Sequence, residues 1–193
     1  MMRLWGRKSS INVQKVLWCL AELGLNEGAD FERIDAGLHF GINNTPEFLQ
    51  MNPNGLVPTL KDGELVLWES NTILRYLVSQ YDKNGRFPKG VAVQYGSEKW
   101  MDWQVGTLWP ALRPTFIGLT RVPGAERDHA GIQKAYQDAN QLFELLNQTL
   151  ESQAYCLGLY MFSNFTLLID SEQQMSIQKY VQHNWSSLRY WKS

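Results

Sequence analysis

The stretch Val57-Pro58-Thr59-Leu60-Lys61-Asp62-Gly63-Glu64-Leu65-Val66-Leu67-Trp68-Glu69-Ser70 decides the fold. Two short β-like runs, Val57–Leu60 and Leu65–Trp68, flank the dipeptide Asp62-Gly63. Asp-Gly between β-like runs is a strong signal for a β-hairpin. Ser70 is a typical N-cap for a helix, and apolar residues follow it at helical spacing. These residues are Ile73, Leu74, Leu77 and Val78. The stretch therefore predicts a strand–strand–helix unit.

The N-terminal residues predict a strand, a helix and a second strand. The strands are Arg3-Leu4-Trp5-Gly6 and Phe31–Asp35. Between them an apolar stripe at helical spacing predicts a helix that begins near Val13 and ends at Gly24. The stripe consists of Val13, Val16, Leu17, Leu20 and Leu23. A strand–helix–strand order favours parallel pairing of the two strands.

Between these two units the sequence predicts one short helix and a turn. Thr45 is a typical N-cap, and Pro46 suits the first helical position. Asn52-Pro53-Asn54-Gly55 is typical of a turn. The complete order is therefore β-α-β, a short α, and β-β-α, which is the order of a thioredoxin-like fold.

The rest of the chain predicts helices only. Residues 82–90 are typical of a linker, and a helix that carries Trp100 and Trp103 follows. Pro110 and Pro114 should kink or break that helix. After a loop at Pro123-Gly124, residues from Ala125 to about Leu150 predict an amphipathic helix. We therefore expect an α/β thioredoxin-like domain over residues 1–81, a linker over 82–90, and an all-α domain over 91–193.

Composition excludes several classes of protein. The 193 residues carry 18 Lys and Arg against 19 Asp and Glu, so a broad nucleic-acid-binding surface is not expected. No stretch approaches the ~20 apolar residues of a membrane helix, and the N-terminus lacks the apolar core of a secretory signal. The two cysteines form no disulfide framework, and no Cys/His cluster has zinc spacing. We expect a cytoplasmic protein with no metal.

Four segments make the chain resemble bacterial cytosolic glutathione transferases of a theta- or nu-like type. They are Leu4-Trp5-Gly6-Arg7-Lys8-Ser9-Ser10-Ile11-Asn12-Val13-Gln14-Lys15-Val16, Asn52–Leu60, Trp68-Glu69-Ser70-Asn71-Thr72-Ile73 and Trp100-Met101-Asp102-Trp103-Gln104. The resemblance covers roughly residues 2–152. It implies a transferase that conjugates the thiolate of glutathione, its co-substrate, to a small apolar electrophile. It also implies a homodimer.

The resemblance implies three glutathione-binding features. A cis Val57–Pro58 bond would leave the Val57 N–H and C=O free to pair with the peptide part of the ligand; the alternative is an ordinary trans proline at a strand edge. Ser70, at a helix N-terminus, would bind the γ-glutamyl carboxylate, and Glu69 would bind the ammonium. The alternative for this pair is simple helix capping.

The glutathione thiol needs a donor that lowers its pKa from about 8.5. Hydroxyl or amide groups near the start of the first helix can stabilise a thiolate. Ser10 aligns with the activating serine of the family, and Asn12 with the asparagine of disulfide-reductase-like members; Ser9 is a third candidate. Each could instead cap the helix. Cys19 lies inside the helix and is expected to be a buried structural thiol.

Three further polar residues are weaker candidates. His39 could reach the glycyl carboxylate or simply be solvated. Gln50 and Asn54 could contact the ligand backbone, although turn formation explains Asn54 equally well. Leu56 stands where the family often has a Lys or Gln. This departure weakens the expected affinity for glutathione or shifts the task to His39.

The electrophile pocket is expected between the two domains. Trp109, Arg113 and Phe116 are candidates to line it. The alternative for the aromatic residues is ordinary helix packing, and Arg113 could face either the cleft or a partner subunit.

The family pattern breaks after about Tyr155. Thr166 stands where the family has a capping Asp, and the expected core helix is not matched. A helical pattern at Ile177, Val181, Trp185, Leu188 and Trp191 predicts a replacement helix with a looser core. A truncated or frameshifted coding sequence and true divergence both explain the change. Three alternative functions follow: a glutathione-dependent disulfide reductase or peroxidase that uses Asn12, a non-catalytic interaction module, and a product that folds poorly.

Overall fold

A computed structural model describes residues 1–83, 85, 87 and 90–151. The chain divides into two compact units, the first of which is Met1–Phe87. Four positions of the predicted linker, the departure at Thr166 and the replacement helix around Ile177–Trp191 lie outside the described residues. The predictions that concern them, including the looser core, stay predictions.

The first unit is built on a four-stranded sheet with the order β2-β1-β3-β4. The strands are β1 (Met2–Trp5), β2 (Phe31–Ile34), β3 (Thr59–Asp62) and β4 (Leu65–Trp68). β1 pairs with β2 in parallel and with β3 antiparallel, and β3 and β4 form the predicted hairpin. The predicted thioredoxin-like order and the parallel pair are therefore confirmed.

The first unit also contains three helices. They are α1 (Ile11–Glu22), α2 (Pro46–Met51) and α3 (Ser70–Tyr81). α1 and α3 pack against each other. The cluster around α2 instead joins Phe48 to Trp5 and Ala36. Buried apolar residues of α1 and α3 are Val13, Val16, Leu20, Ile73, Leu74 and Leu77.

The helix ends of this unit agree with the sequence in two places and differ in two. Thr45 accepts from the Phe48 N–H at 3.3 Å, as an N-cap does, and Gly24 follows the end of α1 with a φ of 76°. α1, however, begins at Ile11 rather than near Val13, because the Ser10 carbonyl already accepts from the Val13 and Gln14 N–H groups. The N-cap of α3 is Glu69 and not Ser70, because the Glu69 carbonyl accepts from the Ile73 N–H at 3.0 Å.

The described part of the second unit contains three α-helices. They are α4 (Val91–Trp103), α5 (Trp109–Thr120) and α6 (His129–Glu151), and a π-helical turn at Gln104–Leu108 joins the first two. Pro110 lies in the first turn of α5, directly after the π turn, and Pro114 lies inside α5. The break therefore takes the form of the π turn.

α6 begins four residues later than the sequence pattern predicts. Gly124–Glu126 forms a separate 3-10 turn. Asp128 Oδ1 then accepts from the Gly131 N–H at 2.9 Å, and its carbonyl accepts from the Ile132 N–H. Asp128 thus provides the cap that sets the helix start. The core of this unit is formed by Leu108, Leu112, Ala139, Phe143 and Leu146.

Candidate active site

The register of the sheet brings the predicted site residues to one edge. Trp5 lies opposite Ile34 on one side and Thr59 on the other, and Thr59 lies opposite Trp68. Because neighbouring strands are 4.7–4.9 Å apart, this row of four residues is about 14 Å long. The loop before α1, the loop after β2, the Val57-Pro58 dipeptide and the start of α3 all leave the sheet from this row. We call this edge the ligand edge.

Ser10 directly precedes α1, in the loop that leaves the ligand edge. Ser10 is the N-cap by backbone position, yet its side chain makes no capping hydrogen bond and is mostly buried. The alternative for Ser10, side-chain capping, is therefore not what the structure shows. Ser9 is exposed in the preceding turn, and Asn12, in the first turn of α1, is engaged in another interaction.

The Val57–Pro58 peptide bond is cis. Pro58 is buried and Val57 is half-buried. Within the described residues, neither the N–H nor the C=O of Val57 is engaged in a hydrogen bond. The backbone of Val57 can therefore offer one donor and one acceptor to an extended peptide.

Asn52 fixes the turn that precedes this dipeptide. Its Nδ2 donates to the Leu56 carbonyl at 2.9 Å and to Thr59 Oγ1 at 3.0 Å. Its Oδ1 accepts from the backbone N–H and the side-chain amide of Asn54, both at 3.1 Å. Asn54 is thus used within the turn, which favours the turn role over ligand contact.

Glu69 and Ser70 lie where β4 passes into α3. Glu69 is exposed and has a φ of 66°, a region that residues other than glycine rarely adopt. Strained backbone of this kind concentrates at binding sites. Ser70 is buried as the first residue of α3, so its N–H is among those that have no partner inside the helix. An anion is favoured at such a helix start.

The weaker candidates lie in exposed positions. His39 is part of a 3-10 turn at Leu38–Phe40, and its ring contacts that of Phe40 with 4.0 Å between the centroids. Gln50 is exposed on α2. Leu56 is 63% exposed and offers no polar group. The exposed position of His39 leaves it available to a carboxylate.

The three candidates on α5 do not form one group. Trp109 and Phe116 contact each other, with 5.7 Å between ring centroids. Arg113 instead lines a cavity of about 610 Å³ between α5 and α6, together with Pro114, Ile117 and Ile132. The aromatic pair fits the packing alternative, and the pocket expected between the domains stays a prediction.

Comparison with known proteins decides the family. Residues 1–79 match the family described as glutathione S-transferase, N-terminal domain. Over 152 residues the chain is 48% identical to glutathione S-transferase GstB of Escherichia coli strain K12, which covers 78% of this chain and 71% of that protein. The chain belongs to the glutathione transferase family.

Other relatives of this transferase family agree. The theta-class glutathione S-transferase of Xanthomonas axonopodis pv. citri, solved with glutathione bound, matches with a TM-score of 0.79 at 36% identity, over 94% of this chain and 91% of that one. Glutathione S-transferase D6 of Drosophila melanogaster is 32% identical over 68% of this chain and 59% of that protein. The resemblance to bacterial glutathione transferases, an enzyme class, is therefore confirmed.

Lys15 is a candidate that the sequence analysis missed. It lies on α1, is only 5% exposed, and donates from Nζ to Asn71 Oδ1 near the start of α3. Burial lowers its pKa from 10.5 to about 7, although Glu69 acts in the opposite direction. Lys15 falls outside the apolar stripe, so the periodicity alone gave no signal for its burial.

Some features remain outside the site. Cys19 is buried as predicted, and burial raises the pKa of its thiol, so it is a poor nucleophile. Among the described residues, no group of three or more His, Cys, Asp or Glu side chains is placed to hold a metal ion. No helix in the described part of the chain is both long and apolar enough to cross a bilayer.

Proposed function

We propose that this glutathione transferase binds glutathione along the ligand edge and transfers its thiolate to a small apolar electrophile. We further propose that it acts in the cytoplasm as a homodimer, with the predicted domain division at residues 81 and 91. The observation that supports the site is the row Trp5, Thr59 and Trp68, because the segments that carry Ser10, Val57, Glu69 and Ser70 leave the sheet from it.

The row supports a separate role for each part of the ligand. The free N–H and C=O of Val57 suit the peptide backbone of the cysteinyl residue. The first N–H groups of α3 and the Ser70 hydroxyl suit the γ-glutamyl carboxylate, and the exposed Glu69 carboxylate suits the ammonium. His39 is the proposed partner of the glycyl carboxylate, since Leu56 cannot bind one.

Ser10 is the proposed partner of the thiol. Its hydroxyl is not used in capping, and it lies at the N-terminus of α1, where the helix dipole favours a negative charge. A hydrogen bond to the sulfur together with this dipole stabilises the thiolate and so raises the fraction of nucleophile at neutral pH. Asn12, in the first turn of α1, is the donor that the alternative disulfide reductase would use.

The second substrate is proposed to lie near Trp109, Arg113 and Phe116. Aromatic side chains suit an apolar electrophile, which does not need a charged side chain to bind it. In this proposal Asn54 stabilises the turn before Val57, and Ser9 is part of the loop before α1.

Calorimetric titration of the full chain with glutathione tests the proposal. Glu69→Gln and Ser70→Ala should each weaken binding about tenfold, as expected for the loss of one charge-assisted hydrogen bond. Glu64→Gln is the matched control, because Glu64 is exposed at the hairpin turn, at the opposite end of β4. A folded chain that does not bind glutathione contradicts the proposal. Turnover of an aryl halide in preference to a disulfide would separate the transferase from the reductase.

A further inference from the structure

Lys15 makes an unusual contact between two helices of the first unit. Its ammonium is buried and donates to Asn71 Oδ1, and Asn71 is itself only 8% exposed. Asn71 is the second residue of α3, directly after Ser70 and Glu69. The lysine of α1 therefore reaches the same helical turn that offers its first N–H groups at the ligand edge.

Packing alone does not explain a lysine at this position. An ammonium carries three donors, and taking it out of water costs several kcal/mol unless it is well paired. Within the described residues Asn71 Oδ1 is the hydrogen-bond partner of this ammonium. A methionine would fill the same space without that cost.

The charges around Lys15 connect it to the ligand edge. Glu69 attracts the ammonium and Arg75 repels it, and both lie on or at the start of α3. Glu69 itself is exposed. Lys15 thus holds Asn71, which follows Ser70, by a hydrogen bond, and it interacts through its charge with Glu69, which precedes Ser70.

We infer that Lys15 is a positioning residue for the γ-glutamyl end of glutathione. It holds Asn71, and through Asn71 it keeps the first turn of α3 and the strained Glu69 in the geometry that the ligand meets. Lys15 does not touch the ligand. The inference rests on the proposed function, because it assigns the γ-glutamyl head to Glu69 and Ser70.

The test compares two ligands that differ only in the γ-glutamyl group. Glutathione and the dipeptide cysteinylglycine are titrated into the full chain and into Lys15→Met. We expect Lys15→Met to weaken the binding of glutathione about tenfold and to leave the binding of cysteinylglycine unchanged. The Kd of cysteinylglycine divided by the Kd of glutathione should therefore fall toward one. Cys19→Ala is the matched control: Cys19 is buried one turn further along α1, so its loss should lower stability and leave the ratio unchanged.

A second pair of variants tests the route through Asn71. Asn71→Leu should give the same change in ratio, and the double variant should be no worse than either single one, since both remove one contact. Asn71→Leu also decides the question if Lys15→Met does not fold. A fall in stability with an unchanged ratio, or an equal loss for both ligands, would overturn the inference. A wild-type chain that binds no glutathione would instead overturn the proposed function.

Discussion

Asn52 donates its side-chain amide to Thr59 Oγ1 at 3.0 Å, and both side chains are almost completely buried. The same amide donates to the Leu56 carbonyl, so one residue holds both ends of the segment that contains Val57 and Pro58. The position of the Val57 backbone at the ligand edge therefore depends on a side chain that need not contact the ligand.

Removal of this amide should lower the stability of the chain. We expect Asn52→Ala to lower the free energy of unfolding by about 2–3 kcal/mol, because it leaves buried partners unsatisfied. Urea denaturation measures this loss. Asn54→Ala is the control, since Asn54 is exposed, and it should change stability by less than about 1 kcal/mol. Equal effects of the two substitutions would show that Asn52 does not fix the turn.

Replacement of Ser10 should affect the thiol and not the helix. Ser10→Ala should raise the pKa of the bound glutathione thiol by about one unit, which lowers turnover about tenfold below that pKa. Because the hydroxyl does not cap α1, stability should change by less than the ~0.5–2 kcal/mol of a capping serine. Thiolate absorbance against pH and thermal denaturation measure the two effects. If Asn12→Ala or Ser9→Ala shifts the thiol pKa more, Ser10 is not the activating group.

The buried ammonium of Lys15 should make stability depend on pH. Its pKa is about 7 in the folded chain and 10.5 when solvated, so between these values the unfolded chain binds more protons. Stability should therefore rise with pH in that window, and below it this group should add no pH dependence. Relative to Lys15→Met, the free energy of unfolding should increase by about 2 kcal/mol from pH 7 to pH 9. Chemical denaturation at each pH tests this, and parallel curves for the two proteins would contradict it.

Close packing of α5 on α6 should make Gly118 intolerant of a side chain. A Cβ at Gly118 would lie 2.6 Å from Ile132 Cδ1 and 2.7 Å from its Cγ1. We expect Gly118→Ala to destabilise the chain by about 1–3 kcal/mol, as overpacking does. Gly106→Ala is the matched control, since nothing lies within 4 Å of a Cβ there. Thermal denaturation should show a lower Tm for the first variant only; an unchanged Tm would mean that Ile132 moves aside.

Much of the fold could be predicted because local signals and tertiary structure agree. The Asp62-Gly63 turn, the Thr45 cap and Gly24 each act within a few residues, so sequence alone locates them. The start of α3 was misplaced by one residue, because Glu69 adopts a positive φ that its residue type does not indicate. The start of α6 was misplaced because Asp128, further along the chain, provides the cap.

The candidate site could be predicted only where a motif named its residues. Ser10, Val57, Glu69 and Ser70 came from segments that resemble the family, and the sheet register brings them to one edge. Lys15 and Asn52 act through contacts with residues that periodicity does not relate to them. α1 packs against α3, and its buried face, which includes Lys15, is wider than the one apolar stripe.

The central place of β1 in the sheet has a consequence for synthesis of the chain. β1 is made before the other three strands of the sheet, and its antiparallel partner β3 follows only after two helices and β2 have been made. A nascent chain can form the β1–α1–β2 unit while one side of β1 is still an open edge. That side of β1 can pair with β3 only after the β3–β4 hairpin has left the ribosome. Until then the segments that carry Val57 and Glu69 have not joined the sheet, so ligand present during translation can protect only chains that have passed this point.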